Sequence, residues 1–260
     1  MRYRPLALIL AALLVTTSCG RTDTPTASAS AAGWNSALPV ATDKGPVAMW
    51  RLEGGFLPPG LLAIRPPRVV VYADGWAIVD AARTLRLAKA DLNKLLAALD
   101  RDLSGQPATA TPRPGAPVVM DAPTTVLGVR TAGGKREVRI PALDETRGSY
   151  AKALYDARDR FGRLARRITG KGQNYVSRRV RLVAEQTTLR GGKARPWPRG
   201  VPEPRAAGSP VRTRDLSGKA AMAAIRLIPR DADQRGGWRV FRARSGASLA
   251  VSWRYLLPDE

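Results

Sequence analysis

The chain has 260 residues and a formal net charge of +22, with 43 Lys and Arg residues against 21 Asp and Glu. It contains no histidine and one cysteine. This composition excludes Ser-His-Asp and Cys-His catalysis, histidine-bound metal and any intramolecular disulfide. We therefore expect no metal and no cofactor, and we assign no catalytic residue.

The N-terminus has the features of an export signal. Two arginines precede the unbroken apolar run Leu6–Val15. A helix of that length reaches about 15 Å, too short for a hydrocarbon core of about 30 Å, so the run fits a signal peptide. The segment Thr16–Gly20 resembles the lipobox of bacterial lipoproteins, whose cysteine receives a diacylglyceryl group before cleavage leaves it first in the mature chain. We therefore predict a signal peptide over residues 1–18 and lipidation of Cys19.

Two other interpretations of the N-terminus stay open. Thr16 stands three positions before the cysteine, where a lipobox usually has Leu or Val. A conventional cleavage site at Ala27-Ser28-Ala29 would release a soluble secreted protein, although it lies about twelve residues beyond the apolar run. The chain could also be cytosolic with an apolar N-terminus. We favour lipidation because it explains a lone cysteine directly after such a run, and two acyl chains give a stable anchor.

The composition changes after the cysteine and again near residue 45. Residues 21–44 are rich in Thr, Ser, Ala and Pro and have no apolar periodicity, so residues 19–44 are predicted to be a lipidated flexible tether. Residues 45–260 are long enough to bury a core and predict one globular domain, with a possible subdivision near 186–215.

The first elements of this domain are predicted strands and a helix. Pro46–Gly54 alternates loosely and indicates a strand, after which Gly and Pro residues break the pattern. The strands Arg68–Ala73 and Trp76–Val79 flank the turn Asp74-Gly75 and predict a hairpin. Leu87–Leu103 carries leucines at helical spacing and predicts an amphipathic helix.

The second half predicts further hairpins and helices. A hairpin of Thr124–Val129 with Glu137–Ile140 precedes the strongest helix, Ser149–Thr169, for which Gly170 is the expected C-cap. A strand, a short helix and a last hairpin follow, at Tyr175–Ala184, Ala220–Leu227, and Trp238–Ala243 with Leu249–Tyr255. Hairpins interspersed with helices predict an α+β fold, with a largely antiparallel sheet built from hairpins and two main packing helices.

The positive charge is densest in residues 147–199, which hold 15 Lys and Arg residues against three acids. Such a field attracts phosphates, anionic lipid headgroups or acidic polymers. The candidate anion-binding residues lie on the second helix and the strand after it: Arg163, Arg166, Arg167, Lys171, Arg178, Arg179 and Arg181. The alternative is a solvated basic surface that reflects a GC-rich genome, because Arg outnumbers Lys 35 to 8.

Carboxylate pairs and tryptophans are the remaining candidates. Asp100 and Asp102 diverge on a helix, while Asp231 and Asp233 in a polar loop could coordinate calcium. We favour solvated surface acids in both cases. Trp197 stands between prolines in a basic loop, and it is the tryptophan that we favour for contact with a ligand or partner.

Four short segments resemble a family of uncharacterised actinobacterial lipoproteins. They are Leu52–Phe56, Tyr72–Gly75, Asp121–Thr125 and Leu256–Glu260. In that family the second segment is usually Tyr-Gly-Asp-Gly, and Ala73 departs from it. The resemblance implies a lipid-anchored surface protein and supplies no catalytic residue.

These observations predict a lipoprotein anchored on the extracytoplasmic face of the cell membrane. We expect a non-catalytic binding or structural module with a basic surface, whose partners are the membrane and an anionic lipid, a wall polymer or a protein. Nucleic acid is not an expected partner for an exported protein. The alternative is a hydrolase that uses two carboxylates on an envelope substrate, for which acids distant in sequence would have to converge.

Overall fold

A computed structural model describes residues 45–188, 194–205, 208–231 and 238–260, all within one compact unit of the chain. These residues form an α+β fold that is mostly antiparallel sheet, which confirms the predicted class. The helices are α1 (Pro59–Ile64), α2 (Lys89–Leu103), α3 (Lys152–Lys171) and α4 (Gly218–Leu227). The strands are β1 (Ala48–Glu53), β2 (Val69–Val71), β3 (Trp76–Val79), β4 (Arg83–Arg86), β5 (Thr124–Thr131), β6 (Gly134–Pro141), β7 (Gln173–Asn174), β8 (Arg179–Gln186), β9 (Arg195–Pro196), β10 (Val211–Ser217), β11 (Arg239–Arg242) and β12 (Ser248–Tyr255).

The strands build two sheets from consecutive parts of the chain. The first has the order β6-β5-β1-β2-β3-β4-β7 and is antiparallel throughout. The second has the order β10-β8-β12-β11-β9, in which only the β9–β11 pair is parallel. The predicted hairpins are confirmed at β2–β3, β5–β6 and β11–β12. The possible subdivision near 186–215 falls inside the second sheet, because β8 and β10 pair on either side of it.

The helices α2 and α3 lie side by side and antiparallel on one face of the first sheet. Their apolar stripes and alternate strand residues such as Val71 and Leu127 form the largest apolar cluster. Phe161 and Leu99 are fully buried at its centre. Alternate residues of a strand point to the same face of the sheet, and residues three or four apart lie on the same face of a helix. The apolar residues at these two spacings therefore face each other between the sheet and the helices.

The second sheet is covered on both faces, by α4 on one and by α1 on the other. The sequence indicated only a chain break at Pro58-Pro59-Gly60, where the structure has α1. Proline is tolerated in the first helical turn because the backbone N–H that it lacks has no partner there. A Cβ on Gly60 would lie 2.5 Å from Glu185 Oε2 and 2.9 Å from Trp238, so any side chain there would displace Glu185 and Trp238, and glycine suits this close approach of α1 to the sheet.

Four strands, β4, β7, β9 and β10, were not predicted. Strand β10 lies at the edge of the second sheet, and its central residues Thr213, Arg214 and Asp215 are exposed. An edge strand with polar side chains on both faces has no alternation of apolar residues for a sequence pattern to detect.

The C-terminal segment Leu256–Glu260 returns from β12 to the open face of the first sheet. Leu257 packs there in an apolar cluster with Val70, Tyr72 and Ile78. The Tyr72 hydroxyl donates a hydrogen bond to the Asp259 carboxylate, and burial together with this carboxylate raises the pKa of Tyr72. The segment therefore links the two sheets through apolar and polar contacts.

Glu260 closes the segment with an ion pair to the buried Arg254. Both guanidinium Nη atoms of Arg254 lie 2.5 Å from the Glu260 carboxylate, and the Leu257 N–H donates to the same carboxylate at 2.9 Å. Burial alone would raise the pKa of Glu260, but the hydrogen bonds and charge of Arg254 lower it below the ordinary value of 4.5. The ionised form therefore stabilises the fold above that value, and this stabilisation is lost as the pH falls.

We predict that Gly172→Ala destabilises the protein and that the neighbouring Gly170→Ala does not. Helix α3 continues past the expected C-cap Gly170 to Lys171, so the prediction of Gly170 was wrong by two residues, and Gly172 caps the helix. A Cβ at Gly172 would lie 2.5 Å from the carbonyl oxygens of Ile168 and Thr84, whereas nothing lies within 4 Å of one at Gly170. We expect a cost of about 1–3 kcal/mol for Gly172→Ala and a gain of about 0.5–1 kcal/mol for Gly170→Ala, measured by urea unfolding. Equal effects of the two changes would contradict this packing.

We also predict that Glu260→Gln lowers stability at neutral pH by about 3 kcal/mol, because it leaves the Arg254 charge buried without a counter-ion. The variant should lose less stability than the parent between pH 5 and pH 3, since the group that titrates has been removed. Unfolding free energies over that pH range measure both effects. Asp156→Asn is the control, because it removes an exposed carboxylate paired with Lys152. If Glu260→Gln and the control had the same pH profile, the ion pair would not contribute as described.

Candidate anion-binding surface

Helix α3 separates apolar and basic residues on opposite faces. Leu154, Ala157, Phe161, Leu164 and Ile168 are buried against the first sheet. The opposite face of its second half exposes four cations: Arg163, Arg166, Arg167 and Lys171. The structure thus brings together four of the seven predicted anion-binding residues.

Helix α2 adds cations to the same region. Because the helices are antiparallel, the N-terminal end of α2 lies beside the C-terminal end of α3, as the ion pair of Asp91 with Arg167 at 2.9 Å shows. Lys89 and Lys94 are exposed at this end of α2. We define the basic helical surface as Lys89, Lys94, Arg163, Arg166, Arg167 and Lys171. The two lysines were not among the residues predicted from the sequence, because tertiary packing decides which ends of two helices meet.

Most cations of this surface have no fixed counter-ion. Arg167 pairs with Asp91, but Lys89, Lys94, Arg163 and Arg166 form no salt bridge within the described residues. Lys171, in the last turn of α3, also forms no salt bridge within the described residues. Cations near a helix C-terminus are stabilised by the helix dipole, so part of this clustering serves the helix itself.

Beyond this surface, an ion pair joins α2 to α3. Arg160 donates to the Asp102 carboxylate at 2.6 Å, and only 8% of the Asp102 side chain is exposed. The hydrogen bond to Asp102 raises the pKa of Arg160. This ion pair between a buried carboxylate and a partly exposed guanidinium joins the two helices, so the exposed cations are held on a common support.

A shallow cleft of about 260 Å³ lies between α2 and α3 inside this surface. Its apolar wall includes Leu95 and Leu164, and Lys94, Arg163 and Arg167 stand around it with Asp91. Guanidinium and ammonium groups donate charge-assisted hydrogen bonds to phosphate and carboxylate oxygens, and these bonds are about twice as strong as neutral ones. The arrangement can therefore hold anionic groups.

The other three predicted anion-binding residues lie on β8 or directly before it, and not on α2 or α3. They are Arg178, Arg179 and Arg181. Arg178 and Arg179 are exposed and form no salt bridge with a described residue. Arg181 is occupied, since it donates to both Asp215 oxygens at 2.8 and 2.9 Å and lies 3.4 Å from Glu260. The hydrogen bonds to Asp215 raise the pKa of Arg181 and lower that of Asp215. We therefore treat Arg181 as part of the fold.

Trp197 is half-buried and contributes to the core of the second sheet. Its indole N–H donates to the Val201 carbonyl at 2.7 Å, and its ring meets Phe241 edge to face at 6.1 Å between centroids. It also borders a cleft of about 470 Å³, which is lined further by residues including Pro196, Arg199, Arg242 and Arg244. Whether Trp197 contacts a ligand stays a prediction.

Three of the four carboxylates identified in the sequence have structural partners, and the prediction of a solvated surface acid was wrong for Asp102, which is buried. Asp100 pairs with Arg136 at 2.9 Å, while Asp102 pairs with Arg160, so the two diverge. Asp231 accepts a hydrogen bond from the Trp238 indole at 2.7 Å, and Asp233 lies outside the described residues. Within the described part of the chain, no group of three or more metal-ligating side chains is placed to hold a metal ion.

One cleft, of about 450 Å³, is lined by two carboxylates, Asp144 and Asp159. Both contact the same guanidinium, since Arg158 Nε lies 2.7 Å from Asp144 and Nη1 lies 3.2 Å from Asp159. Two-carboxylate hydrolysis requires space for substrate and water between the acids. The Arg158 side chain occupies that position, so this cleft gives the hydrolase alternative no support.

The predicted lipidation residue, Cys19, lies outside the described residues, as does the predicted signal peptide. Among the described helices, none has both the length and the apolar character needed to cross a bilayer. Comparison with models of known families, with curated proteins and with solved structures finds no match to this chain.

Proposed function

We propose that this protein is a lipid-anchored, non-catalytic binding module of the cell envelope. Acylation of Cys19 holds it on the extracytoplasmic face of the cell membrane, and the basic helical surface binds an anionic partner there. The observation that carries the binding role is the clustering of six exposed cations at the paired ends of α2 and α3, of which only Arg167 forms a salt bridge among the described residues.

The anchor is supported by the sequence alone. The apolar run Leu6–Val15 is too short to span a bilayer, and the lone cysteine follows it within a lipobox-like segment. Each buried CH₂ of an acyl chain contributes about 0.8 kcal/mol, so two chains give stable attachment where one is marginal.

The partner chemistry follows from the charge and from the exported location. Phosphate and carboxylate groups of lipid headgroups or wall polymers carry the complementary charge and present several groups at once. Each cation near an anionic surface contributes about 1 kcal/mol, and this attraction decreases within a Debye length of about 8 Å at physiological salt. Several cations on one rigid face therefore act together, whereas scattered cations do not.

We predict that Arg163→Glu/Arg166→Glu weakens binding to anionic vesicles more than about tenfold at low salt. Neither arginine has an ion-pair partner among the described residues, so the fold should tolerate the change. The control is Arg199→Glu/Arg242→Glu, which makes the same change in net charge at exposed arginines of the second sheet. Sedimentation with vesicles across a salt series measures the affinity and its salt dependence.

The two variants separate a local surface from general basicity. A loss confined to Arg163→Glu/Arg166→Glu supports the basic helical surface, and the same assay with phosphate-bearing wall polymer identifies the source of the anion. Equal losses in both variants, or binding that ignores salt, would overturn the proposal.

We predict that protein isolated from its native host begins at Cys19 and carries a diacylglyceryl group on its thiol. Mass spectrometry of the N-terminal peptide gives the cleavage position and the added mass. The variant Cys19→Ser should leave the membrane fraction or accumulate as the uncleaved precursor. A mature N-terminus after Ala29, or an unmodified Cys19 thiol, would show that the anchor is absent.

A further inference from the structure

The structure leaves a cluster of large apolar side chains exposed at one end of the first sheet. Of the eight large apolar side chains that are exposed among the described residues, five lie in two loops. Phe56 and Leu57 belong to the loop after β1, and Val118, Val119 and Met120 to the loop before β5. We call these five residues the apolar tip.

The two loops are joined to each other. The Phe56 N–H donates to the Asp121 carbonyl at 2.9 Å. A Cβ on Gly55 would lie 3.3 Å from Pro123 Cβ, so the loops pack in close contact. Gly55 has a φ of +87°, a conformation that other residues rarely adopt, and it directs the chain into this contact. The apolar side chains therefore project from a fixed base.

The tip is convex and carries no charge. Phe56 is 86% exposed, Val118 88% and Met120 78%, values that leave each side chain without neighbours on most sides. No charged residue lies between Glu53 and Arg65, or between Arg113 and Asp121. An exposed apolar patch of this kind marks an interaction site, and separate protruding side chains suit a fluid apolar phase better than a fixed protein pocket.

The position of the predicted tether agrees with a lipid partner. The described chain begins at Gly45, just before β1, and the tip follows the other end of β1, whose six residues span about 20 Å. Residues 19–44 lie between the proposed anchor and Gly45. A coil of that length has a root-mean-square reach of roughly 28 Å, so the anchor and the tip can reach the same bilayer.

We propose that the apolar tip inserts into the interfacial region of the membrane to which the protein is anchored. The inference rests on the proposed envelope function for the presence of that membrane, but its driving force differs. Along the sequence, the charges that flank the two loops are Glu53 and Arg65, and Arg113 and Asp121, and these four balance. Insertion is therefore driven by apolar burial, and it should occur in zwitterionic lipid at high salt, where the basic helical surface does not bind.

A fluorescent label in the full chain tests this insertion. Val118→Cys is labelled with an environment-sensitive dye, since acylation consumes the only native thiol, Cys19. A second preparation carries Cys19→Ser, which keeps the label unique if the native thiol is free. The matched control is Met222→Cys, an exposed apolar position on α4. Both proteins are reconstituted into zwitterionic vesicles containing spin-labelled lipid, at high salt.

The expected result is a blue shift and loss of emission at position 118, with little change at position 222. Phe56→Ser should weaken the quenching at position 118, because the two loops insert together, whereas Leu227→Ser should not. Water-like emission at position 118 on vesicle-bound protein would overturn the inference and leave the anchor intact. A blue shift that needs no vesicles and rises with protein concentration would also overturn it, because a second copy would then cover the tip. Quenching at position 118 in the Cys19→Ser preparation as well would support insertion and show that it does not require the anchor.

Discussion

The C-terminal segment that joins the two sheets is held in place by the ion pair of Glu260 with Arg254. Arg254 is 5% exposed, and a buried guanidinium without a counter-ion is strongly destabilising. Glu260 supplies that charge only if the chain turns back after β12. The turn places Asp259 at the Tyr72 hydroxyl and Leu257 in the apolar cluster on the first sheet. The need of Arg254, in the second sheet, for a counter-ion therefore fixes the C-terminal segment that packs on the first sheet.

The four segments on which the predicted family resemblance is based lie in two contacting pairs. Tyr72 in the hairpin β2–β3 meets Asp259 in the C-terminal segment, while Gly55 and Phe56 meet the segment Asp121–Pro123. These contacts hold turns and chain ends in place, and neither pair assembles a set of catalytic groups. The second pair forms the base of the apolar tip, so one part of the resemblance coincides with an exposed feature.

The high positive charge is not spread evenly over the surface. Arg160 is bound by Asp102, Arg181 by Asp215, and Arg254 by Glu260. These arginines serve the fold, and their acids are not available to neutralise other cations. At the paired ends of α2 and α3 lie six exposed cations, of which only Arg167, with Asp91, forms a salt bridge among the described residues. Composition alone does not separate these two groups of cations, but their burial and partners do.

The sequence by itself determined the fold class, three hairpins and the two main helices. These elements are specified locally, because alternation, turn residues such as Asp74-Gly75 and leucine spacing act within a few residues of each other. The sequence also determined which face of α3 is basic. Its signal peptide, lipidated cysteine and envelope location stay predictions.

Only the tertiary structure decided the features that depend on residues distant in the chain. Helix α1 forms where Gly60 lets it approach the second sheet, and β10 forms because β8 offers an edge. Lys94 joins Arg163 because two helices pack antiparallel, and Arg181 is removed from the candidate surface by Asp215. Phe56 and Val118 become one patch only when β1 and β5 pair. Each of these outcomes depends on a contact between side chains or backbones, and no local pattern of residues encodes such a contact.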